Sequence, residues 1–142
     1  MKTKRIIKDQ KGGALIEFAI VLPLLVVLAF GIIEFGIILY NQSIITNASR
    51  EGARAGIIEG TSEADIKDIV DNYALVRLIT FGTPIASFPN GWITINDGAG
   101  IDTTSQAPLE VYVRYDYTFL VPVLFGLDST KTLGARTVML ME

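Results

Sequence analysis

Cysteine and histidine are both absent from this sequence of 142 residues. Without cysteine the chain has no disulfide and no thiolate nucleophile. Without histidine it has no Ser-His-Asp triad, and without either residue it has no Cys/His zinc site. Catalysis would have to use carboxylates, Lys, Arg, Tyr or Ser. We therefore expect a protein that is not an enzyme and that has no cofactor and no small-molecule substrate.

Charge is divided unevenly along the chain. Residues 1–13 contain one acid, Asp9, and five of the twelve basic residues, namely Lys2, Lys4, Arg5, Lys8 and Lys11. The rest of the chain has seven basic and fourteen acidic residues, which would repel phosphates, so no nucleic-acid partner is expected. A short basic segment before an apolar run is typical of a membrane topology signal.

A long stretch without charge follows this basic segment. Residues 18–33 are uncharged, and the apolar pattern resumes after Glu34 as far as Tyr40. As a helix, residues 18–40 would extend roughly 34 Å, enough to cross a hydrocarbon core of about 30 Å. A cleaved secretory signal is shorter and ends at a small-residue site that is missing here. We predict a single permanent span, with the N-terminus cytoplasmic and residues after about 41 outside.

One acid, Glu17, lies at the entrance of this apolar segment. A carboxylate in the bilayer costs about 2–3 kcal/mol, and less near the interface, where the side chain can reach the headgroups. A second interpretation comes from the spacing. If the chain were cut between Gly12 and Gly13, the new α-amino group would lie four positions before Glu17. The two charges could pair within one chain or between staggered chains, which would favour one axial register.

Several motifs occur together in residues 12–56: the glycine pair Gly12-Gly13, Glu17-Phe18, Pro23, Glu34-Phe35-Gly36, and the run Arg50–Arg54. In combination they resemble the TadE-like pseudopilins of the tight-adherence (Flp) pilus machinery. The resemblance implies removal of a leader, residues 1–12, by a prepilin peptidase. It further implies a minor pseudopilin of a pilus or related secretion system in the cytoplasmic (inner) membrane, whose helix packs with other pilins at the assembly platform.

Two alternatives stay open at this point. The first is an uncleaved single-pass anchor whose outer domain binds a ligand or an envelope component. The second is a membrane-tethered enzyme, which the missing histidine and cysteine disfavour.

The long helix carries further marks. Pro23 removes one backbone hydrogen bond, which a membrane helix tolerates with a mild bend. Glu34 is interpreted either as a residue at the membrane interface or as a partner for a cation of another chain. A stripe of small residues follows at intervals of four: Ala48, Gly52 and Gly56. Such a stripe predicts close packing against a partner pilin or against the chain's own domain, the alternative being a weakened linker.

Three charged residues occupy other faces of the same helix. Arg50 and Arg54 lie four positions apart, and Glu51 is within reach of Arg54. We include them, with the stripe, among the candidate helix-packing residues.

Residues 60–142 predict a small extracytoplasmic α+β domain, preceded by a helix over residues 13–59. An amphipathic helix, capped by Ser62 with Asp65 and ended by Gly82-Thr83-Pro84, would pack on three or four antiparallel strands. A hairpin is predicted with its turn at residues 89–91. Strict alternation predicts a half-buried strand over residues 109–119, and a final strand covers residues 133–142. The whole is a type IV pilin-like arrangement.

The loop between the predicted hairpin and the strand over residues 109–119 contains Asp97 and Asp102 around two glycines. This spacing faintly resembles calcium-binding loops, which makes the two acids weak candidates for metal ligands, but an ordinary turn is strongly favoured. No metal site is otherwise predicted.

Overall fold

The computed structural model describes residues 10–81, 85–102, 107–122, 126 and 128–141. Two helices precede the strands: α1 is Gln10–Gly56 and α2 is Glu63–Leu75. Three strands follow, β1 at Ile93–Ile95, β2 at Pro108–Thr118 and β3 at Thr130–Leu140, with a short 3₁₀ turn, Asn96–Gly98, after β1. The sheet is antiparallel with the order β1-β2-β3. The predicted α+β class, with a long N-terminal helix, a second helix and an antiparallel sheet, is confirmed.

The chain divides into two compact units, Met1–Ile33 and Glu34–Glu142. The described part of the first unit is the N-terminal portion of α1, which continues through Pro23. Its apolar side chains are exposed, and no part of its most apolar window is buried. Among the described residues, α1 is the one helix that is long and apolar enough to cross a membrane.

In the second unit, one face of α1 is buried. The buried positions of this helix recur at intervals of three, four or seven, which is the pattern of a single helical face. They are Glu34, Asn41, Ile44, Ile45, Ala48, Ser49, Gly52, Ala53 and Gly56. Helix α1 ends at Gly56, and a turn with Gly60 at a φ of 88° leads toward α2.

Helix α2 begins as predicted. Ser62 is its N-cap, and a capping box joins Ser62 to Asp65 in both directions. The side-chain hydrogen bonds to Ser62 lower the pKa of Asp65. Ile66, Val70 and Ala74 are buried, one turn apart, so α2 contributes one apolar face to the core.

Strand β2 is the centre of the sheet and alternates as predicted. Its buried residues are Leu109, Val111, Val113, Tyr115 and Tyr117. The register pairs Val111 with both Ile95 of β1 and Thr137 of β3, which places their side chains on the same face. This face packs against α1 and α2 and forms the core of the second unit.

The predicted hairpin is wrong. Residues 85–88 do not form a strand, and Ile93–Ile95 pairs with β2 instead. The turn itself is present, since the Trp92 amide donates to the Pro89 carbonyl and Gly91 has a φ of 87°. The first arm is diverted because Phe88 is buried, with its ring against those of Trp92 and Tyr115.

Two predicted ends also differ. Helix α2 stops at Leu75, well before the predicted stop at residues 82–84, which lie outside the described residues. The amides of Arg77 and Leu78 both donate to the Ala74 carbonyl, which closes the helix, and the chain then continues without helical bonding. Strand β3 begins at Thr130, three residues before the predicted start, because Thr118 pairs with it there.

We predict that Gly52→Ala destabilises the second unit. An added Cβ would lie 2.6 Å from Val70 Cγ2, and β-branched Val70 has little freedom to move. Overpacking of this kind costs about 1–3 kcal/mol, more than the gain of roughly 1 kcal/mol in helix propensity. Thermal unfolding in detergent, followed by circular dichroism, should show a lower midpoint.

Gly36→Ala is the matched control, because nothing lies within 4 Å of a Cβ added at Gly36. It should leave the midpoint unchanged or raise it. Equal midpoints for the two variants would contradict close packing at Gly52.

Candidate functional site

The buried face of α1 carries an acid at its first position. Glu34 is only 3% exposed. Its Oε1 accepts a hydrogen bond of 2.5 Å from the Tyr117 hydroxyl, and the Leu120 amide donates to Oε1 and Oε2 at 3.1 and 3.2 Å. The charge is thus bound by two donors from the end of β2 and the residues after it. Neither interpretation of Glu34 from the sequence included partners within the chain.

Two aromatic rings contact the ring of Tyr117, the residue whose hydroxyl binds Glu34. Tyr117 is fully buried, and the rings of Phe81 and Phe119 meet it edge to face at centroid distances of 6.4 and 5.7 Å. Burial raises the pKa of Tyr117 well above its usual range, and the hydrogen bond and negative charge of Glu34 add to the effect. The hydroxyl therefore stays protonated and remains a donor to Glu34.

Two turns further along α1, Asn41 binds the backbone after α2. Its Nδ2 donates to the Ile79 carbonyl at 2.8 Å, and its Oδ1 accepts from the Ile79 amide at 3.0 Å. Asn41 is completely buried, so both polar atoms of its amide require hydrogen-bond partners, and Ile79 provides both. The side chain takes the place of a neighbouring strand for Ile79.

A third buried polar residue, Ser49, joins α1 to the sheet. Its hydroxyl lies 2.8 Å from both the Val111 carbonyl and the Thr137 hydroxyl. Gln42 adds a further bond, from its Nε2 to the Gly134 carbonyl at 2.9 Å. These bonds link α1 to β2 and β3 along the length of the buried face.

The small-residue stripe lies at the C-terminal end of the same buried face. Ala48, Gly52 and Gly56 are buried in the second unit, and a Cβ at Gly56 would come within 2.5 Å of Leu109 Cδ2. Of the two partners that the sequence left open, the structure brings the chain's own domain to the stripe. Arg50, Glu51 and Arg54 are exposed, away from this contact.

The predicted residues of the first unit lie on the apolar part of α1. Gly13, Glu17, Phe18 and Pro23 are exposed, and Gly12 is partly exposed. Within the described part of the chain, no hydrogen bond or ion pair involves the side chain of Glu17.

The loop with Asp97 and Asp102 is organised by its own backbone and by Asn96. Asn96 Nδ2 donates to the Gly100 carbonyl at 2.7 Å, and Asn96 Oδ1 accepts from the Glu110 amide at 2.7 Å. Asp97 is exposed, with a carboxylate oxygen 3.3 Å from Arg136. The described residues include no group of three or more acids that could hold a metal ion.

Sequence reasoning missed Asn41, Ser49 and Tyr117 as contacts of α1. For the two helix residues a signal was available. Asn41 lies seven positions before Ala48, which is two helical turns, and Ser49 is the next residue after Ala48. Both therefore lie on or beside the helical face that carries the small-residue stripe. Tyr117 gave no local signal, because 83 residues separate it from Glu34.

These features define an α+β domain attached to one apolar helix that is suited to a single-pass membrane protein. The family model described as TadE-like protein matches residues 12–54, which confirms the resemblance over that segment. Members of this family are pilus components, and the match indicates a Tad pilus-associated protein. No curated protein and no solved structure matches the chain.

We predict that Tyr117→Phe destabilises the second unit. The change removes the hydroxyl from a buried carboxylate and leaves Glu34 with the Leu120 amide alone. Loss of a hydrogen bond to a charged group costs about 1.5–3 kcal/mol. The unfolding midpoint in detergent should fall by several degrees.

Tyr115→Phe is the control for this experiment. Tyr115 is a buried neighbour on the same face of β2, and within the described residues its hydroxyl has no hydrogen-bond partner. Its midpoint should stay close to that of the wild type. If Tyr117→Phe were as stable as Tyr115→Phe, Glu34 would not depend on the Tyr117 hydroxyl.

Proposed function

We propose that this protein is a minor pseudopilin of a tight-adherence pilus or a related secretion system, held in the cytoplasmic (inner) membrane by α1. The observation that carries the proposal is the family match over residues 12–54. That segment contains the apolar helix and the buried face that joins it to the domain.

The exposure of the first unit supports packing with other helices. Large apolar side chains are exposed at successive positions on all sides of α1, from Leu15 and Ile16 to Ile32 and Ile33. Such a surface is stable in lipid or against other apolar helices, and not in water. It is therefore suited to both stages of the proposed function, which are anchoring of the subunit in the bilayer and lateral packing in a bundle of pilins.

The proposed assembly step depends on Glu17. A prepilin peptidase hydrolyses the bond between Gly12 and Gly13, which frees the α-amino group of Gly13. In an apolar bundle this ammonium pairs with Glu17 of its own or a neighbouring chain. Any other stagger would leave a charge buried without a partner. Glu17 is exposed, so its carboxylate is accessible to another chain.

In this proposal the protein acts by assembly and not by catalysis, and it uses no cofactor. The basic residues before α1 stay in the cytoplasm and the second unit lies on the other side of the membrane. The partners are other pilins, the assembly platform and, briefly, the peptidase.

We predict that the native chain begins at Gly13. Mass spectrometry of the protein purified from membranes should find a species lacking residues 1–12 in cells with an active prepilin peptidase. Cells without the peptidase should contain the uncut chain. Retention of residues 1–12 in the presence of active peptidase would support the uncleaved anchor instead.

We predict that Glu17→Gln abolishes assembly without preventing membrane insertion. Removal of one partner from a buried ion pair costs about 3–5 kcal/mol, so co-purification with partner pilins should fall by more than about tenfold. Piliation and co-purification are measured after normalising to the amount of protein in the membrane.

Glu51→Gln is the matched control, since Glu51 is an exposed acid on the same helix within the second unit. It should assemble normally. Normal assembly of Glu17→Gln would exclude the pairing mechanism.

A further inference from the structure

The burial of Glu34 determines where the membrane can end. From this residue onward one face of α1 is covered by the second unit, so lipid cannot surround the helix there. Residues 13–33 alone would extend roughly 31 Å as a helix, enough to cross the hydrocarbon core. The span therefore fits residues 13–33 better than residues 18–40.

With this span, Glu34 lies at the boundary of the bilayer, because it follows Ile33 directly in the chain. Leu120 lies there too, since its amide is hydrogen-bonded to Glu34. The next two turns of α1 bring Asn41, whose side chain binds Ile79. Leu120 is thus held at the boundary itself, and Ile79 is held about 10 Å further along α1.

Exposed apolar side chains are concentrated at this level. Nine large apolar or aromatic side chains are exposed among the described residues of the second unit. Five of them lie on α1 within two turns after Glu34 or on the segments bonded to Glu34 and Asn41, and we call these five the apolar collar: Phe35, Leu39, Tyr40, Ile79 and Leu120. Single exposed apolar residues are normal on a protein surface, but a group beside a membrane span is not accounted for by that rule.

The chemistry of the collar fits the bilayer interface. Its exposed fractions range from 39% at Ile79 to 69% at Phe35, so each side chain has apolar surface to bury. The Tyr117 hydroxyl that binds Glu34 belongs to an aromatic cluster with the partly buried rings of Phe81 and Phe119. Aromatic and apolar side chains are favoured where acyl chains meet headgroups, and the carboxylate of Glu34 is already hydrogen-bonded within the protein.

We propose that the apolar collar is a lipid-binding surface, by which the second unit inserts into the outer interfacial layer of the membrane while α1 spans it with residues 13–33. The occupant is the bilayer itself, because Phe35, Leu39 and Tyr40 continue the spanning helix along the chain and the other two residues lie on segments bonded to it. The proposal rests on the membrane span of the proposed function. It does not depend on leader cleavage or on pairing by Glu17.

Spin labelling tests the proposal in the full chain. The protein has no cysteine, so single-cysteine variants carry one nitroxide without background labelling. Phe35→Cys and Leu120→Cys report on the collar, and Leu25→Cys reports on the middle of the span. Val138→Cys is the matched control, an exposed apolar residue of β3 outside the collar. Each variant is placed in phosphatidylcholine–phosphatidylglycerol vesicles at low protein density, so that no partner chain is present.

The readout is the accessibility of the label to oxygen, which enters lipid, relative to a nickel chelate, which stays in water. We expect the highest ratio at residue 25, intermediate ratios at 35 and 120, and the lowest at 138. If the ratio at residue 120 equals the ratio at residue 138, the collar is not a lipid-binding surface. The same result is expected if a partner protein covers the collar in the cell, because no partner is present in these vesicles. A label at 25 with an aqueous ratio would instead overturn the membrane span of the proposed function.

Discussion

A buried carboxylate requires hydrogen-bond donors, and this requirement is met for Glu34 by the Tyr117 hydroxyl and the Leu120 amide. Up to Ile33 the helix is apolar and exposed, whereas from Glu34 one of its faces belongs to a folded domain. An acid at this position would be unstable in lipid and equally unstable in the core without its partners. The pair of donors therefore determines both where α1 enters the second unit and which segment of the domain lies beside that entry point.

The remainder of the buried face combines two kinds of contact with different roles. Gly52 and Gly56 allow the helix to approach Val70, Ile66 and Leu109 at distances that any side chain would prevent. The polar contacts of Asn41 and Ser49 add a directional constraint, because a shift along the helix would leave a buried amide or hydroxyl without its partner. Small residues thus determine the distance between the layers, and polar residues determine the register.

The sequence was informative wherever the signal was local. The alternation in β2, the capping box at Ser62 and the apolar length of α1 each depend on residues within a few positions of one another, and each is present in the structure. The pairing of Ile93–Ile95 and the position of Ile79 depend instead on contacts with Val111–Val113 and with Asn41. These contacts join residues far apart in the chain, so no local pattern could predict them. The hairpin prediction failed for this reason, since the correct turn at Gly91 did not specify which strand Ile93–Ile95 would join.

The use of the small-residue stripe within the chain restricts how the protein can bind other subunits. Gly52 and Gly56 are covered by the core, so they are not available as a docking face for a second helix. What is left on α1 is the apolar surface before Glu34, the collar residues Phe35, Leu39 and Tyr40, and exposed charges such as those of Arg50, Glu51 and Arg54. An apolar surface offers affinity but little choice of register, because every stagger buries a similar area. In the proposed assembly, specificity is therefore expected from the few exposed charges of α1, among them Glu17.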